Sequence, residues 1–161
     1  MLKQLVTASA ILITPIPALA QNASEIAAVQ NGQSCTGCNL FQADLAYMDL
    51  DKIDVSGARL RQADLQLSTF DGWDFSGTNL SVANLFGTRF NRSSFKNANF
   101  QNAALVGTYF GNSNLEGADL TGANASGADF SIAKGMTQSQ LNKACGDDST
   151  RLPKGMTIPV C

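Results

Sequence analysis

The chain has 161 residues, 44% of them apolar and 15% charged, with a net charge of −2. That balance excludes wholesale disorder and gives no electrostatic footprint for nucleic acid. There is no histidine, so His-based triads, His–metal sites and His acid–base chemistry are out, and neither an active site nor a cofactor site is readable.

Residues 1–20 read as an export address. Lys3 is the charged start, residues 5–16 form a short apolar run, and Ala18-Leu19-Ala20 is an A-x-A cleavage site before Gln21, the pattern of a secretory signal peptide. The run falls well short of the ~20 residues needed to span a bilayer, and Pro15 and Pro17 interrupt it. The expectation is a periplasmic or secreted chain with no membrane span after cleavage. Residues 21–34 follow as an N-terminal cap. Residues 24–30 (SEIAAVQ) have helical composition, with Ser24 as N-cap and Ile26 and Val29 on one face.

From Leu40 to Phe130 every fifth residue is large and apolar, with one exception: ten Leu, seven Phe, one Val and Ala125 in nineteen pentads. Two residues before each centre, nine of nineteen are Ala and six are Ser or Thr; one residue before, thirteen are Asp or Asn; two residues after, eight are Gly. On a helix, residues five apart are rotated by a net angle of about 140° and would spread around every face. On a straight strand they point to opposite sides. One interior is served only if the chain turns between pentads, and the Gly and Asx residues supply that turn chemistry. The unit is a short extended corner with the centre and the residue two before it pointing inward. Such a unit cannot bury its face alone, so successive corners must stack as a solenoid.

The runs Ala43-Asp44-Leu45, Ala63-Asp64-Leu65, Ala83-Asn84-Leu85, Ala98-Asn99-Phe100 and Ala118-Asp119-Leu120 resemble the A-(D/N)-L-x-x pattern of the pentapeptide-repeat family over residues 35–134. The resemblance implies an all-β fold, a right-handed quadrilateral β-helix with four pentads per coil. Nineteen pentads make about 4–5 coils, with short helical caps expected at both ends. Residues twenty apart should then stack: Phe70, Phe90, Phe110 and Phe130 on one face, Leu45, Leu65, Leu85 and Leu105 on another. Trp73, with Met48 and Ile53 one coil earlier, breaks the small-residue rule and implies a locally swollen interior.

Residues 135–161 read as a C-terminal helix and a tethered tail. Thr137 and Gln140 fit a capping box, Leu141 and Ala144 would face the last coil, and Gly146 would stop the helix. The ending is similar to the tails of other exported family members. Four cysteines allow three pairings. Cys35–Cys38 would close a tight loop at the entrance and Cys145–Cys161 would staple the tail. Cys35-Thr36-Gly37-Cys38 also admits a thioredoxin-like reading, which would need a βαβ context, and four Cys admit zinc, which would need them adjacent. Haem attachment would need His at position 39, which is Asn.

Two surface features are candidates for function. Twenty-residue stacking puts Asp51 over Asp71 and Asp54 over Asp74, with Lys52 as the nearby cation, a set that suits a hard oxygen-liganded ion such as Ca²⁺. Phe86 and Val106, flanked by Tyr47, Leu67 and Tyr109, make an outward apolar row of the kind that marks partner sites. The leading expectation is a non-enzymatic exported scaffold or protein-interaction module, with no cofactor, an unspecified protein partner, and monomer or dimer left open. The alternative is ion or ligand binding at the acidic corner. The duplex-mimicking, topoisomerase-binding role known in the family is disfavoured by export and by Arg59, Arg61, Arg89 and Arg92 among the acids.

Overall fold

The computed structural model describes residues 21–161; the signal-peptide expectation for residues 1–20 lies outside them. Two helices, α1 (Ala23–Gln30) and α2 (Gln138–Leu141), flank a stacked coil. Parallel bridges join Asn39 to Arg59, Asp44 to Asp64 and Asp49 to Thr69, and the twenty-residue step continues to Asn114 and Lys134. Each coil thus takes four pentads. The Leu45 N–H donates to the Asp64 carbonyl (2.7 Å) and the Asp64 N–H to the Ala43 carbonyl (2.9 Å). The same pair of bonds recurs up the column, so the amides around each inward pair find partners in the neighbouring coil.

The corners are built as the composition requires. Asp54 Oδ1 accepts from the Ser56 N–H and Asp74 Oδ1 from the Ser76 N–H, both at 2.8 Å, and Asn and Asp side chains repeat this bond at other pentads. These are Asx turns. Seventeen of the nineteen residues two after a centre have positive φ, which explains why glycine and asparagine concentrate there. Lys52 and Ile132 are the exceptions.

The centres are buried, as the period of five predicts, save Leu50, which is half-buried. The residues two before them supply a second interior layer. Ser68, Thr88, Ser93, Thr108 and Ser113 donate their hydroxyls to the carbonyls of Leu45, Leu65, Phe70, Leu85 and Phe90, each twenty-three residues back. Trp73 keeps the same rule. Its indole N–H reaches the Leu50 carbonyl, twenty-three residues back, at 3.3 Å, while the ring is buried against Phe70 and stacks on Phe75. Trp73 is therefore the aromatic member of a donor column.

Both ends are held by named contacts. The N-cap of α1 is Asn22, not Ser24: its side chain accepts from the Glu25 N–H, and the Ser24 hydroxyl donates to it. Val29 is buried, Glu25 Oε2 accepts from the Asn39 N–H at 2.6 Å, and Gln30 Nε2 donates to the Asp44 carbonyl. In α2, Thr137 and Gln140 form the capping box, and Leu141 is buried. The helix stops at Asn142, before Gly146, because the Lys143 carbonyl is drawn to the Gly122 N–H. Beyond it the register lengthens: Asn124 pairs with Cys145 and Asp129 with Arg151, then Gly146 pairs with Val160.

Cys35 and Cys38 sit at disulfide distance with Cα atoms 5.6 Å apart, and Cys145 and Cys161 likewise at 4.7 Å. The second pair closes a loop worth about 3 kcal/mol in the chain-entropy account. Reduction should free residues 146–161 from exchange protection before the coils lose theirs. Peptide mapping of the unreduced protein should show a Cys145–Cys161 link; a Cys35–Cys161 link would overturn this arrangement. Among the described residues no helix is long and apolar enough to cross a membrane.

Candidate functional site

The apolar row lies on the wall centred on Leu45, Leu65, Leu85 and Leu105. The ladder fixes its spacing: the Tyr47 N–H donates to the Gln66 carbonyl, Leu67 to Phe86 and Gly87 to Val106. Tyr47 is 71% exposed, Leu67 48% and Phe86 47%, and Val106 is half-buried. Leu67 lies across Gly87, where a Cβ would come within 2.8 Å of its Cδ2. Tyr109 is turned onto the following pentad, its ring over buried Gly111. The row is thus Tyr47, Leu67, Phe86 and Val106, with Tyr109 around the corner.

Backbone conformation adds a signal that composition did not carry. Tyr47 has φ 59° and Leu67 φ 52°, and exposed Val82, at the corner before Phe86, has φ 58°. A left-handed backbone costs a non-glycine residue about 1–2 kcal/mol, and glycine fills the same position at Gly87 and Gly107. Here bulky apolar side chains stand in water on strained backbone. Their neighbours Asp44 and Asp64 form one bridge of the ladder.

The acidic corner is arranged differently from the cation site expected of it. Asp54 and Asp74 are a bridge pair, and each carboxylate accepts from its own turn. Asp71 accepts from the Asn91 N–H at 2.8 Å and pairs with Arg89 at 2.9 Å, while Asp51 is exposed. Arg92 joins Lys52 and Asp71 around Gly72. Two arginines that the twenty-residue column of acids did not include therefore sit at this corner, and among the described residues no three acidic or cysteine side chains are grouped to hold a metal ion. A second cleft, of about 360 Å³, lies between Asp119 and Lys143 beside α2. The Thr121 hydroxyl and the Gln101 amide hold the Asp119 carboxyl below the usual carboxylate range.

An inward-facing ladder of apolar centres with Asx corners is the architecture of a repeat solenoid. The chain carries a pentapeptide repeat region: residues 43–120 match the family model of that description. No curated protein matches the sequence. A pentapeptide repeat protein from Nostoc Pcc 7120 is similar in structure, with TM-score 0.51 and 20% identity over 83% of this chain and 98% of that one. Another from the Arabidopsis thaliana thylakoid lumen aligns with TM-score 0.30 and 20% identity over 78% of this chain, which spans 61% of it. QnrB1, a plasmid-mediated fluoroquinolone resistance protein, aligns in a trypsin-treated form with TM-score 0.36 and 16% identity over 80% of this chain and 89% of that one. The Nostoc protein shows the β-helix fold.

Proposed function

We propose that this chain is a non-enzymatic, exported scaffold that binds a protein partner on the wall carrying Tyr47, Leu67, Phe86 and Val106. In this reading residues 35–134 form a right-handed quadrilateral β-helix of about 4–5 coils. Residues 21–34 and 135–161 close its ends, and a signal peptide precedes it. The observation that carries the reading is the conjunction of exposure and left-handed backbone at Tyr47 and Leu67. Glycine would remove both costs, so the side chains are kept for something outside the fold. A wall held by ladder bonds presents them with little ordering entropy to lose. Asp44 and Asp64 beside the row favour a partner segment that pairs apolar with basic residues. The non-enzymatic part of the reading is supported by where the wall carboxylates go: Asp54, Asp64 and Asp74 are occupied by turn amides.

Phe86→Ser with Val106→Ser should leave the coil's melting temperature within a few degrees, because surface changes of this kind move stability by about 0.5 kcal/mol. The same variant should lose the partner captured by the native chain from an exported fraction. Leu67→Gly should also lose the partner without lowering stability, since it relieves the backbone. Retention of the partner by both variants, with loss on Asp51→Asn and Asp71→Asn, would move the function to the acidic corner.

A further inference from the structure

Three of the four walls of the first coil are closed toward its N-terminal side. In the ladder, the residue before each centre turns its N–H and carbonyl toward the coil before it, as Asp64 does toward Ala43 and Leu45. The first coil has no such neighbour, so these groups need other partners. Glu25 Oε2 accepts from the Asn39 N–H, and Gln30 Nε2 donates to the Asp44 carbonyl. The Cys35 N–H donates to the Asp54 carbonyl, and the Asp54 N–H donates to Ser34 Oγ. The fourth wall is centred on Leu50. Asp49 is bridged to Thr69 in the coil after it, but among the described residues no hydrogen bond meets its N–H or carbonyl from the other side. The interior opens at the same place: Met48 and Leu50 are half-buried, whereas Phe70, Phe90, Phe110 and Phe130 in the column of Leu50 are fully buried.

An unpaired strand edge is a template for another strand, and its side chains choose which one. Successive residues of an extended segment point to opposite faces, so Met48 and Leu50 face the interior while Asp49 and Asp51 stand outside, exposed. Residues 21–54 carry Glu25, Asp44, Asp49, Asp51 and Asp54 against Lys52 alone. Arg59 and Arg61 belong to the opposite wall, centred on Leu60, and Arg89, two coils on from Asp49, is paired with Asp71. We propose that this edge accepts an extended basic segment of a partner protein. The backbone of that segment pairs with Asp49, its apolar residues cover Met48 and Leu50, and its alternating Lys or Arg residues lie beside Asp49 and Asp51. A second copy of this chain is the poorer occupant. Two such acidic edges repel, and at the opposite end of the column the Gly146 N–H and carbonyl are taken by the chain's own tail. The edge is a separate site from the row of Leu67, Phe86 and Val106.

The probe is an acetylated, amidated pentapeptide of alternating lysine and valine, titrated into the full chain and followed by amide-resolved NMR and hydrogen exchange. The Asp49 N–H should shift saturably and gain exchange protection, because it acquires an acceptor. The Asp129 N–H, already bonded to the Thr108 carbonyl, should not change. The same peptide N-methylated along its pairing edge keeps the charge and should bind about ten-fold more weakly, the scale of one or two hydrogen bonds. Asp49→Lys should also weaken binding by about ten-fold, an attraction exchanged for a repulsion. Asp148→Lys, the same charge change at an exposed residue of the opposite end, should leave binding unchanged, as should Phe86→Ser with Val106→Ser. Absence of saturable shifts, equal affinity for the N-methylated peptide, equal losses in Asp49→Lys and Asp148→Lys, or loss in the Phe86 and Val106 variant would overturn the proposal. So would Asp49 protection that rises with protein concentration in the absence of peptide, which would assign the edge to a second copy.

Discussion

Leu85→Lys should abolish folding, or cost at least about 4 kcal/mol, while Phe86→Lys should cost less than about 1. Leu85 is 0% exposed and its neighbour 47%. The Leu85 side chain points into the column between Leu65 and Leu105, where an ammonium would find no counter-charge. One residue on, Phe86 stands on the outer wall, and lysine there reaches water directly. Leu85→Ala calibrates the comparison at about 3 kcal/mol for a buried leucine lost to a cavity. Thermal and urea unfolding of the three variants gives the ranking. Equal losses for Leu85→Lys and Phe86→Lys would mean that the inward phase is misassigned.

Trp73→Ala should be the next most damaging change, at about 3–5 kcal/mol. It removes the ring packed on Phe70 (centroids 4.4 Å apart) and on Phe75 (5.4 Å), at the N-terminal start of an aromatic file that continues through Phe95 and Phe110 to Phe130. It also leaves the Leu50 carbonyl without its indole donor. Trp73→Phe keeps most of the packing and loses the bond, a cost of about 1 kcal/mol. Trp73→Ser installs the residue found at Ser93 and Ser113 in the same column, and should fall between them because the cavity remains. If Trp73→Phe were as harmful as Trp73→Ala, the hydrogen bond rather than the packed ring would set the role of Trp73.

The interior was legible because one repeated constraint governs it. A period of five with Asx before the centre and Gly after it admits only a chain that turns every pentad; the twenty-residue step is what the family resemblance implies, and the bridges carry it. Trp73 was legible as an anomaly but not as a donor. Its role appears only when the column Trp73, Ser93, Ser113 is read by hydrogen-bonding capacity instead of size. At the acidic corner the column count leaves out a partner for a geometric reason. Column stacking brings Asp51 over Asp71, but Asp71's partner is Arg89, eighteen residues on and across the turn, a diagonal that a strict column count passes over. The Leu45 wall could be listed from the sequence, whereas the left-handed backbone that Tyr47 and Leu67 share with seven other non-glycine residues needs φ. The stop of α2 at Asn142 depends on a carbonyl contact with the coil below, which no local propensity records.

The lengthening register at the C-terminal end bears on how such a column stays finite. A coil in step with its neighbour every twenty residues is a template, and a second chain in the same step could add to it indefinitely. After Asn114 and Lys134 the step becomes twenty-one residues at Cys145 and twenty-two at Arg151, and Val160 folds back on Gly146. An incoming copy would meet an end whose corners no longer match its own, with the Gly146 N–H and carbonyl already taken by Pro159 and Cys161. A second copy stacking on that face would have to bridge this mismatch of step, which opposes templated growth there.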